Sequence, residues 1–170
     1  MTHFTDYLTG IITRDLRAAR REVEAYPDDE MLWTALPGTT NTGGSLARHI
    51  AGNLQHFFGA VLGSSGYVRD REAEFNQQPV PREVIRAELD AAVTAIESVL
   101  PGLPDEVFAA PFPIAQGGLI VNTQDFVLHL AVHLCYHLGQ LDYHRRIVTG
   151  RSETVSAQAM KELRSAQPAA

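Results

Sequence analysis

The chain has 170 residues, which suits one domain and buries about 70% of the unfolded surface, so a core can form without disulfides. An apolar fraction of 45% and a charged fraction of 20% exclude the disordered and fibrous classes. The net charge is −6 and the 14 basic residues are scattered, which argues against a dedicated nucleic-acid binder.

A single cysteine cannot close an internal disulfide and favours a reducing compartment. The first twenty residues carry charge throughout and show no apolar secretory core. No apolar run approaches the roughly 18–20 residues that a membrane span needs. The expectation is a cytoplasmic chain without membrane partners.

Apolar residues at spacings of three and four predict a first helix from Phe4 to Tyr26, stopped by Pro27. Residues 28–43 are turn-rich, with Trp33 and Leu36 expected to pin the loop to the core. A second helix is expected from about Ser45 to Gly63. Its inward stripe (Leu46, His49, Ile50, Asn53, Leu54, Phe57, Val61) places two polar side chains where a core should be. Residues 64–79 read as a polar connection, with Phe75 tucked in.

Pro81 suits the first turn of a third helix, which Pro101 closes. The proline-rich stretch that follows is expected to cross over outside the core. Around Gly117-Gly118, residues 112–115 and 119–121 predict a short hairpin. A fourth helix runs from an N-cap at Thr123 to about Thr149, with Gly150 as its stop, and is apolar on most sides. The tail, 151–170, carries at most one short helix around 157–164. Four long helices with one long crossover predict an all-α four-helix bundle over residues 1–150.

Seven histidines are present, three of them in one register: His129, His133 and His137 stand four residues apart, and His144 follows one heptad later. A step of four turns a helix by about 400° and rises about 6 Å, so adjacent members of the row can converge on one ion. The outer pair is about 12 Å apart and cannot. The row therefore offers one pair of ligands, 129/133 or 133/137, and helix geometry does not choose between them. A competent site needs a third ligand, and His49 on the inward stripe of the second helix is the candidate. His56 lies about 10 Å farther along that helix. Cys135 points away from its histidine neighbours and reads as a small core residue.

The segment H133-L-C-Y-H137-L-G-Q140 resembles the HxxxH-x-GQ signature on the last helix of the DinB-like (DinB/YfiT-type) metal-binding four-helix bundles. Upstream, S45-L-A-R-H49-I-A-G-N53-L-Q-H-F57 is similar to their second-helix segment. Residues 32–42 and R69-D-R-E-A-E-F75 look like one uncharacterised subfamily. Leu138 stands where many members carry Arg. The resemblance implies a three-histidine site of His49, His133 and His137 holding a divalent ion, with zinc or nickel the expected metal. It also implies a homodimer, in keeping with a last helix apolar nearly all round.

Three neutral imidazoles leave a metal with net positive charge and an open position, which is the arrangement of catalytic rather than closed structural sites. Relatives in the family imply a metal-dependent transferase that activates a low-molecular-weight thiol, and water activation is chemically equivalent. The alternative is a non-catalytic, metal- or ligand-binding stress-response protein. Asn53 and Gln140 are the expected pocket or cofactor-contacting groups. No general base is evident: Asp125, Asp142 and Glu72 read as solvated, Tyr136 and Tyr143 as packing residues, and Arg69 and Arg71 as a solvated loop that could attract an anion.

Overall fold

The computed structural model describes residues 4–76 and 78–169; the outermost ends of the expected bundle and tail, residues 1–3 and 170, lie outside them. Helix α1 spans Phe4–Glu24, and a single turn, α2, spans Asp29–Leu32 with Asp28 as its cap. Helix α3 spans Gly43–Leu54 and continues as a π-helix over Gln55–Leu62. A short α4 covers Arg71–Phe75, α5 spans Arg82–Val99, α6 covers Asp105–Ala109, and α7 spans Thr123–Thr149. The four long helices α1, α3, α5 and α7 pack on one another as an all-α bundle. No helix among the described residues is long and apolar enough to cross a membrane.

The stripes that define the helices also build the core. Ile12, Leu16 and Val23 meet Ile50 and Leu54, Ile85, Leu89 and Ile96, and Val127, Leu134 and Leu141, all buried. Each removes an aliphatic side chain from water, worth roughly 1.5–3 kcal/mol before ordering costs. The outer ends of two stripes escape this fate. Phe4, Tyr7 and Ile11 are partly exposed on α1, and Leu128, Val132, Tyr136, Tyr143 and Ile147 form an exposed row on α7. A helix apolar on every side satisfies only one face within a single chain. Tyr136 and Tyr143 are therefore not packing residues, and Cys135 is likewise exposed rather than in the core, with Gln158 donating to its sulfur.

Several boundaries differ from expectation for local reasons. Asn122, not Thr123, caps α7, because its Oδ1 accepts from the amides of Gln124 and Asp125. Pro81 is the cap of α5 rather than a residue of its first turn. The second long helix loses its α register at Gln55, and the wider π turns carry both Phe57 and Phe58 inward. The crossover does enter the core: Phe108 and Phe112 are buried, and Phe112 packs 4.5 Å from the ring of Phe126. The hairpin forms, with Phe112 N donating to Val121 O at 2.8 Å and Gln116 exchanging bonds with Leu119. Gly117 and Gly118 hold φ of 55° and 81°, which is the backbone a two-residue hairpin turn demands.

The tail makes one 3-10 turn, Met160–Glu162, and is strapped to α1 and α7 by arginines. Arg21 donates to the carbonyls of Val155 and Ser156, and Arg145 donates to that of Glu153.

Candidate metal centre

His49 comes from α3, and His133 and His137 come from one face of α7. One ring nitrogen of each lies within 4.8 Å of the others. The pair His133/His137 is thus the one that the fold brings to His49. His49 Nε2 and His133 Nε2 are 3.0 Å apart. The nitrogens of a tetrahedral zinc site lie about 3.3 Å apart, so the cluster brackets the spacing that such an ion needs.

The opposite faces of the rings are already committed. His49 Nδ1–H donates to Glu74 Oε2 at 2.9 Å, and His137 Nδ1–H donates to Gln140 Oε1 at 2.7 Å. Both tautomers therefore present a lone pair on Nε2 to the shared space. A carboxylate behind one ligand and an amide behind another is how histidine ligands are oriented and made more basic. Burial and the neighbouring imidazoles of His137, His49 and His129 push His133 down to about 4, and burial also lowers His137, so both are neutral at pH 7. Neutral imidazole is the form that binds a metal.

Glu74 is the functional residue that sequence reasoning passed over. It sits in the segment read as a polar connection, among other acids. The available signal was Asp70, whose Oδ1 caps a helical turn by accepting from Ala73 N. That turn buries Glu74 to 4% exposure. Arg69 is no solvated loop residue: its Nε and Nη2 donate to Glu74 at 2.6 and 2.7 Å, which holds the buried carboxyl below the usual carboxylate range against the effect of desolvation. Gly52 makes room for this pair, since a Cβ there would overlap the Glu74 carboxylate. Gly52→Ala and Glu74→Ala should each weaken metal affinity by about 10–100-fold with the bundle intact. Titration of zinc-loaded protein with a competing chelator measures this.

The three rings open on a cleft of about 730 Å³ lined also by Asn53, Phe57, Phe126 and Arg71. Asn53 is buried, and its Oδ1 has no partner among the described residues. Gln140 faces a neighbouring cavity of about 340 Å³ beyond the 38–41 loop. His129 does not pack beneath the site. It is exposed on the cleft wall, stacked 5.8 Å from His133 and 6.0 Å from Phe126. His144 is structural: its Nε2–H donates to Thr34 O, and Tyr26 OH donates to its Nδ1, pinning the loop that walls the cleft. His56 lies outside the cleft, its buried Nδ1 unpartnered among the described residues. Of the three acids considered as bases, Asp142 pairs with Arg145 and Arg146, Glu72 is exposed, and Asp125 lines a smaller pocket beside His129.

Fold and site together define a helical bundle with a three-histidine centre able to hold a divalent ion. Residues 11–141 match the sequence model of the DinB superfamily, and the chain belongs to that family. No curated protein and no solved structure shows significant similarity to it.

Proposed function

We propose that His49, His133 and His137 bind one divalent ion, zinc or nickel, and that the chain is a metal-dependent transferase acting on a small molecule. The observation that carries this reading is the convergence of three imidazoles, two of which, His49 and His137, have their outer nitrogens already held by Glu74 and Gln140. Such an ion, when bound, supplies an open position that lowers the pKa of a low-molecular-weight thiol or of water. Around it, Glu74 and Arg69 fix His49, Gln140 fixes His137, and Phe57 and Phe126 keep bulk water from one wall of the cleft. Of the two amides expected to touch a bound thiol or substrate, Asn53 lines the cleft, whereas Gln140 lines the neighbouring cavity and acts through His137.

Metal analysis of protein purified without a His-tag, followed by thiol conjugation to a model electrophile with and without metal, tests the assignment. Metal-dependent conjugation supports a transferase. Full metal loading without conjugation across several thiols supports the second reading, a non-catalytic metal- or ligand-binding stress-response protein. Metal retention should also depend on pH. Protons compete for the same lone pairs, and the folded pKa values of His133 and His137 lie below the ordinary 6.5. The ion is expected to stay bound at pH 6 and to leave toward pH 4, as read by metal content after dialysis.

The exposed row Leu128, Val132, Tyr136 and Tyr143 supports a homodimer through α7, to be checked by sedimentation of the chain and of Val132→Glu. We assign residues 1–150 to the bundle and 151–170 to an appended tail, and a cytoplasmic place on the single cysteine. Small molecules rather than nucleic acids are the proposed partners.

A further inference from the structure

We infer that the cleft takes a small carboxylate-bearing ligand whose anionic end is held by Arg71 while its other end reaches the three-histidine centre. The chain as a whole is acidic, at −6, yet among the described residues that line this cleft none is a carboxylate. Glu74 lies behind His49 and is neutralised by Arg69. The lining instead carries Arg69, Arg71 and four histidines. Arg71 is the lining guanidinium without a carboxylate partner among the described residues, and its charge in a concave wall free of carboxylates draws in an anion.

The two arginines differ in what they have left to offer. Arg69 spends Nε and Nη2 on Glu74, and its side chain is 11% exposed. Arg71 is exposed, and no carboxylate among the described residues pairs with it. Its guanidinium lies 5.2 Å over the Phe75 ring, and that ring is 4.8 Å from the ring of His49. Arg71 therefore stands within about 10 Å of the His49 ring, with Phe75 in contact with both. Stacking on Phe75 orders the guanidinium plane and leaves its donor fork for a bidentate carboxylate. Between the ends, Phe57, Phe126 and Leu130 offer an apolar bed for a short spacer. The Arg71 contact needs no metal; the reach to the histidines rests on the proposed ion.

The test uses two ligands that share a metal-binding head and differ in one end: succinic acid monohydroxamate, with a carboxylate, and butyrohydroxamate, without one. Calorimetry on the zinc-loaded chain is expected to show about tenfold tighter binding of the carboxylate-bearing ligand, the usual effect of a hydrogen bond to a charged group. Arg71→Gln should erase that preference by weakening this ligand alone. Equal affinities, or a preference that survives Arg71→Gln, overturn the proposal. If zinc does not bind, the proposed function fails, and phenylacetate titrated into the metal-free chain then decides for Arg71. A saturable shift of the Arg71 Nε–H resonance supports the contact, and an unmoved resonance overturns it.

Discussion

Alanine at His49, His133 or His137 is expected to empty the metal centre, lowering affinity by more than about 100-fold, since even an orienting partner is worth 10–100-fold. Each imidazole supplies one of three nitrogens, and the loss of any leaves two, fewer than a stable site needs. His129→Ala and His56→Ala should keep the metal. His129 is stacked on His133 but stands outside the set of three, and His56 does not reach the cleft. Metal content of the five purified variants is the measurement. An empty His129→Ala beside a loaded His137→Ala would show that the other pair of the helical row holds the ion.

The second large effect is on stability and lies away from the cleft. Arg145, 2% exposed, donates through Nε to Glu22, whose side chain is fully buried. Burial, together with the neighbouring Asp142 carboxylate, pushes the Glu22 carboxyl up to about 7 against the pull of Arg145. Arg145→Met would leave this buried carboxyl without its counter-ion and also free the tail at Glu153. A loss of about 3–5 kcal/mol is expected at pH 9, where the wild-type pair is ionised. For a chain of this size that lowers Tm by roughly 10 °C. The sign with pH follows from the raised folded pKa. Below about 7 the buried carboxyl is protonated with or without Arg145, so the deficit is small there; it grows as pH rises through about 7, where Glu22 ionises beside Arg145 but stays protonated without it. The double variant Arg145→Met, Glu22→Leu should recover most of the loss, because an apolar pair replaces the buried charges. Thermal melts at pH 5 and pH 9 test all three statements.

Much of the bundle is legible in one dimension, because a helix announces itself by a local period. The stripes through Ile12 and Leu16, Leu46 and Ile50, Ile85 and Leu89, and Leu134 and Leu141 are visible in sequence, and all of these residues are buried. The hairpin is equally local, since Gly117-Gly118 prescribes its own turn. Short elements are a different matter. The single turn Asp29–Leu32 and the five-residue helices Arg71–Phe75 and Asp105–Ala109 are too brief for a period to register. Phe112 could not be placed because its partners Phe57 and Phe126 are distant in the chain.

The sequence by itself determined that His133 and His137 share a helical face, since four residues of helix place them so wherever the helix goes. It also placed His49 on an inward stripe. Only the tertiary structure decided between the two possible pairs on α7, because that choice depends on the level at which α3 crosses α7. The same holds for Glu74, Arg69 and the space at Gly52. A carboxylate 25 residues from its histidine joins the three-histidine cluster only when a turn of helix folds back across α3. Period is a property of neighbours in the chain, whereas ligand convergence is a property of neighbours in space.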